Sequence, residues 1–234
     1  MRQQRIEEID FARGTAIILM VIFHIIFDLT EYYSFPFNYL SGFWFYTGKA
    51  AAILFILVCG ISSTVSTRSF RHGLTILGWG MVLTAITYFS HPQQYIRFGI
   101  LHLLGFSLLS CPLIHQLRPL QAAACGLAVI LTGSLIKKIA VAADYGLIFG
   151  LPGPLFSSLD YYPLFPWYGI FLLGTAAGRL LYPDKKSLLP AQFRLANPVN
   201  RLGRHSLLIY LVHQPVILAG LFILDMLIGI KPAN

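Results

Sequence analysis

The stretch Ile9-Asp10-Phe11-Ala12-Arg13-Gly14-Thr15-Ala16-Ile17-Ile18-Leu19-Met20-Val21-Ile22-Phe23-His24-Ile25-Ile26-Phe27-Asp28-Leu29 sets the class of this chain. Residues 11–29 have the length a helix needs to cross a bilayer, about 20 mostly apolar residues. The apolar residues run on without alternation, so the segment does not read as a strand of a transmembrane barrel. It does not read as a cleavable leader either, because acids and a histidine interrupt it and no small-residue cleavage site follows. The rest of the chain agrees. Of 234 residues, 56% are hydrophobic and 11% are charged, whereas a soluble domain carries about 25% charged residues. Three cysteines cannot staple a secreted scaffold, and an aromatic content of 14% excludes disorder. The net charge of +8 fits the basic loops of a membrane protein, and no nucleic-acid partner is expected.

Six further runs resemble the first, over residues 48–66, 73–89, 96–114, 121–139, 165–181 and 206–228. The expected fold is an all-α polytopic bundle of about seven transmembrane helices in one domain, residues 1–234. Pro112 is expected to kink or end the fourth run. Residues 145–159 are apolar but broken by Gly150, Pro152, Gly153 and Pro154, and read as an interfacial or re-entrant loop. Gly60, Gly78, Gly80, Gly174 and Gly178 read as close-packing positions. With the N-terminus inside, the inner side collects Arg2, Arg5, Arg13, Arg68, Arg71, Arg118, Arg179, Lys185, Lys186, Arg194, Arg201 and Arg204. The outer side collects Lys49, Arg97, Lys137, Lys138 and Lys231. Twelve against five predicts a cytoplasmic N-terminus and an outer C-terminus.

Ionisable residues inside such runs are costly and tend to mark a functional path. His24 and Asp28 are four apart and share one helix face. A carboxylate one turn from an imidazole can fix its tautomer and stabilise its protonated form, as a general base requires. Arg13 precedes His24 by eleven residues, about three turns and roughly 16 Å along the axis, on the same face. His102, in Arg97-Phe98-Gly99-Ile100-Leu101-His102, is placed with His24 in the outer half of the membrane, where both can line one site. Ser206, Tyr210, His213 and Gln214 form a polar stripe on the last run. Asp160 and Trp167 can meet a polar acceptor at the outer end of the sixth run, although the aromatics there also suit an interfacial belt. Arg68 and Arg71, three apart in a short inner loop, can clamp a phosphate or simply anchor that loop. The histidine positions suit interhelical hydrogen bonds equally well. Phosphate-loop, Gly-x-Ser-x-Gly and His-Glu-x-x-His motifs are absent, and no metal is expected.

Four motifs in order carry a resemblance. They are Asp10-Phe11-Ala12-Arg13-Gly14 with His24 and Asp28, then Arg97 to His102, then Pro163-Leu164-Phe165-Pro166-Trp167-Tyr168-Gly169, then Ser206-Leu207-Leu208-Ile209-Tyr210-Leu211-Val212-His213-Gln214-Pro215. Together they resemble small bacterial members of the heparan-alpha-glucosaminide N-acetyltransferase catalytic-domain family, within the transmembrane acyltransferase superfamily. The resemblance implies an integral-membrane acyltransferase of a bacterial inner (plasma) membrane. It would move an acetyl group from cytoplasmic acetyl-CoA to a carbohydrate-type hydroxyl or amine at the outer side. His24, Asp28 and His102 would be catalytic. Arg13, Arg68 and Arg71 would hold the CoA phosphates. Asp160, Trp167, Tyr210, His213 and Gln214 would face the acceptor. The expected partners are acyl-CoA, the acceptor and the lipid bilayer, with room for a homo-oligomer. Two other readings stay open. One is a haem-binding electron carrier using His24, His102 and His213. The other is a transporter or non-catalytic membrane factor.

Overall fold

The computed structural model describes residues 6–189 and 198–228, so Arg2, Arg5, Arg194 and Lys231 of the charge comparison lie outside the described residues. It is helical throughout: α1 (Glu7–Tyr33), α2 (Gly42–Val65), α3 (Ser69–Ser90), α4 (Ile100–Leu109), α5 (Cys111–Ile114), α6 (Pro119–Ile136), α7 (Leu164–Leu181), α8 (Pro198–Arg204) and α9 (Ser206–Ile228). Among the described residues, six helices (α1, α2, α3, α6, α7 and α9) are long and apolar enough to cross a membrane. The chain is an integral membrane protein built as a polytopic helix bundle. Its contacts fall into two compact units, Met1–Phe55 with Lys186–Asn234, and Ile56–Lys185, with the boundary inside α2.

In the first unit, α1 opens with Glu7, Glu8 and Asp10 in its first turn, where negative charge suits the helix dipole. Glu8 accepts hydrogen bonds from the Ser187 hydroxyl at 2.8 Å and the Leu188 N–H at 2.7 Å. α1 stops at Ser34, which takes a left-handed conformation with φ 54° and returns its N–H to the Leu29 carbonyl. The short α8 lies against the start of α1. A Cβ on Gly14 would collide with the Val199 carbonyl, and one on Gly203 with the Asp10 carbonyl.

In the second unit, glycines set the helix crossings. Gly60 and Gly174 bring α2 and α7 together, and Gly178 faces Ile61 and Thr64. Gly126 and Gly169 face each other's carbonyl oxygens across α6 and α7. Gly73, Gly80 and Gly105 do the same for α3 and α4, with Gly80 opposite His102. Gly78 corrects the expectation for it, because a Cβ there would meet nothing within 4 Å.

The fourth run breaks, as Pro112 led one to expect, so that among the described residues it is divided into α4 and α5 beside the six long helices. α4 ends at Leu109, and α5 restarts one residue later with Pro112 near its start. Pro lacks the N–H that an interior position would have to donate, so it fits a first turn. The segment still runs beside α7 along its length. Tyr162 N–H donates to the Phe98 carbonyl at 2.9 Å near one end. Ser110 and Tyr168 share a hydroxyl hydrogen bond of 2.8 Å in the middle. The Arg179 guanidinium reaches the His115 and Leu117 carbonyls at the other end.

The segment 140–163 is an ordered loop with a 3-10 turn at Leu147–Phe149. Asp144 pairs with the Arg97 guanidinium and accepts the Gly153 N–H at 2.7 Å. Arg97 also stacks over Tyr95 and Phe156 at 5.0 and 5.4 Å. Tyr161 donates to the Leu147 carbonyl at 2.6 Å. Burial, with the Asp144 charge added, pushes the Tyr161 phenol up to about 12, so it acts here as a hydrogen-bond donor.

Candidate active site

α1 and α9 meet along the polar stripe that each carries. The His24 and His213 ring centroids lie 4.7 Å apart at 57°. Phe23 and Phe27 flank His24 edge-on. One turn further along α1, the fully buried Asp28 accepts from the Gln214 amide NH2, whose Nε2 lies 2.8 and 3.0 Å from its two carboxylate oxygens. His213 Nδ1 sits 2.6 Å from the Tyr210 carbonyl. A carbonyl only accepts, so Nδ1 carries the proton and Nε2 keeps the lone pair. Among the described residues, that Nε2 is buried with no hydrogen-bond partner, and so is Gln214 Oε1. An unpartnered buried polar atom costs about 1–3 kcal/mol.

This seam corrects one expectation. Among the described residues, the carboxylate of Asp28 is taken by Gln214, and no hydrogen bond joins it to His24. The shared face on α1 was legible from spacing alone. The partner was not, since Gln214 lies 186 residues away and its glutamine reads equally as interhelical glue. The centroid distance also bears on the haem reading. Facing axial imidazoles place each nitrogen about 2 Å from the iron and each ring centroid about 1 Å farther out, about 6 Å apart in all, so a His24–His213 pair with centroids 4.7 Å apart does not hold a haem between its rings.

Towards the start of α1, Asp10 gathers two arginines. Arg13 Nη1 donates to it at 3.1 Å and Arg204 Nε at 3.4 Å. Arg13 also reaches the Gly203 carbonyl at 3.4 Å. The sequence pointed to Arg13 but not to its partners, because Arg204 lies 194 residues from Asp10 along the chain.

In the second unit, His102 is engaged at both nitrogens. Nδ1 accepts the Gly99 N–H at 3.2 Å. The Thr84 hydroxyl donates to the Ile96 carbonyl at 2.7 Å, so Nε2 donates to Thr84 Oγ1 at 3.2 Å. Asp160 accepts the Ile100 N–H at 2.9 Å and thus caps the start of α4. Trp167 packs edge-on against Tyr162, with centroids 4.8 Å apart. Burial, and then the Asp160 charge, push the Tyr162 phenol upward. The geometry therefore gives Asp160, Trp167 and His102 fold contacts.

Arg68 and Arg71 are exposed, one immediately before α3 and one in its first turn. Neither makes an ion pair among the described residues. A helix N-terminus already carries positive partial charge, so two guanidiniums there repel it unless an anion is shared.

A buried polar seam inside a polytopic bundle defines a membrane protein with a chemically equipped interior. Residues 5–215 match the family model described as heparan-alpha-glucosaminide N-acetyltransferase, catalytic, and the chain belongs to that family. The family implies a transmembrane acetyltransferase, and it is the family to which the four motifs pointed. No curated protein and no solved structure matches the chain.

Proposed function

We propose that this protein transfers an acetyl group from acetyl-CoA, supplied at the cytoplasmic face of a plasma membrane, to a hydroxyl or amine of a carbohydrate-type acceptor at the outer side. The reading rests above all on the α1–α9 seam. There, His24 lies against His213, whose buried Nε2 has no partner, in a chain of an acetyltransferase family.

His24 is the general base. It removes the acceptor proton as the acceptor oxygen or nitrogen attacks the thioester carbonyl. The tetrahedral intermediate collapses, the carbon–sulfur bond breaks, and the CoA thiolate takes the proton back from His24. His213 assists by offering Nε2 to a hydrogen donor beside His24. Tyr210 contributes its carbonyl, which fixes the His213 tautomer. Arg68 and Arg71 hold CoA phosphates at the start of α3, where a forked guanidinium pair and a helix N-terminus suit them. Arg13, anchored by Asp10, adds positive charge on the same face of α1 as His24, about three turns away. His102, Asp160 and Trp167 support the reaction indirectly, by holding α4 and the start of α7.

The test is His24→Ala. The variant is expected to keep the stabilisation that acetyl-CoA gives to the purified protein and to lose at least about two orders of magnitude in transfer rate, the usual worth of a general base. A folded His24→Ala protein with full transferase activity removes His24 from the mechanism.

A further inference from the structure

We infer that Asp28 acts through Gln214 rather than through His24: it locks the Gln214 carboxamide in the one orientation that presents an acceptor oxygen to the acceptor substrate. This inference rests on the acetyltransferase reading and assigns a positioning residue within it.

A carboxamide has two faces of opposite sense, an NH2 that donates and an oxygen that accepts. An ionised carboxylate has no hydrogen to give, so the group opposite Asp28 must turn its NH2 toward it. Gln214 does so, with Nε2 at 2.8 and 3.0 Å from the two carboxylate oxygens. The amide oxygen is forced to the other side, where it is buried and unpartnered. The adjacent residue shows the same design by other means. The Tyr210 carbonyl claims the Nδ1 hydrogen of His213 and leaves Nε2 as a buried, unpartnered acceptor. Two consecutive residues of α9 thus present lone pairs, each fixed by a separate partner. A seam used only to glue helices would satisfy these atoms across the helices. A seam that receives N–H or O–H groups from a substrate leaves them open until the substrate arrives.

The lock predicts a pattern that helix packing alone does not. Asp28→Asn keeps size and shape but lets either face of the Gln214 amide pair, so the orientation is no longer enforced. Gln214→Glu sets two carboxylates against each other. Combining Asp28→Asn with Gln214→Glu restores a single solution, because the new amide donates to the new carboxylate, whose second oxygen again faces the substrate. The experiment measures [14C]acetyl transfer from acetyl-CoA to glucosamine in proteoliposomes, together with the melting shift given by acetyl-CoA. Asp28→Asn is expected to raise the glucosamine KM by about tenfold, the worth of one hydrogen bond. Its acetyl-CoA melting shift should match the wild type. Gln214→Glu should be worse, and the combined variant should recover most of the KM loss. An unchanged KM in Asp28→Asn overturns the lock while leaving the acetyltransferase reading intact. So does a combined variant that regains thermal stability without regaining KM, the result expected of plain helix glue. Wild-type protein that neither binds acetyl-CoA nor transfers acetyl to glucosamine overturns both.

Discussion

Gly203 and Gly78 are both helical or near-helical glycines in an apolar chain, yet a methyl group has opposite consequences at the two. At Gly203 it would run into the Asp10 carbonyl and come within 3.0 Å of the Gly14 backbone N. The first turn of α1 and the last turn of α8 would have to part, and Arg13 and Arg204 would lose their common carboxylate. At Gly78 it would meet nothing within 4 Å. Gly203→Ala is expected to destabilise by on the order of 1–3 kcal/mol, as overpacking does. Gly78→Ala should leave stability unchanged or slightly higher, since alanine favours the helix. Thermal unfolding in detergent decides, and equal effects at both positions would contradict the packing described. The residue scale is also where the sequence was most and least informative. Spacing on a single helix put Arg13, His24 and Asp28 on one face, because helical geometry is local. Partners from distant segments stayed hidden, since nothing local distinguishes a Gln214 that pairs with Asp28 from one that faces lipid.

Among the elements, α4 illustrates how a histidine that looks catalytic can belong to the fold. His102 sits near the start of a ten-residue helix whose first N–H groups have no intrahelical acceptor. Asp160 takes one of them, from Ile100, and His102 Nδ1 takes that of Gly99. The ring's other nitrogen ties α4 to Thr84 of α3. The motif from Arg97 to His102 was readable, but its purpose was not, since a capping imidazole and a catalytic one have the same sequence signature. His102→Leu is expected to cost about 1–3 kcal/mol of stability, because the buried Gly99 N–H loses its acceptor. The kcat of the folded fraction should stay within about an order of magnitude of wild type, well short of the loss expected at His24. Unfolding curves paired with turnover per folded molecule separate the two effects, and a loss in kcat as large as that of His24→Ala would return His102 to the chemistry.

At the scale of the whole molecule, hydropathy made the bundle legible and charge supplied a direction. Among the described residues, the apolar runs recur as six long helices and one divided one, because a bilayer imposes length and helicity directly on sequence. Orientation rests on a different force, the asymmetry of lysine and arginine between the two sides. That asymmetry and the proposed donor site make a joint statement, since Arg68 and Arg71 belong to the side that carries the basic excess. If acetyl-CoA is held there, it must be supplied from the cytoplasm. In sealed vesicles of known orientation, acetyl-CoA should support transfer only from the cytoplasmic face. Arg68→Ala combined with Arg71→Ala should remove the melting shift of the purified protein at acetyl-CoA concentrations where the wild type shows it. At one hundred times Kd the wild-type stabilisation is about 2.7 kcal/mol, large enough to read as a shift in Tm. A double variant that keeps the full shift moves the phosphate contacts elsewhere. Transfer driven equally from both faces would detach the donor site from the basic side, and the charge asymmetry would then serve insertion alone.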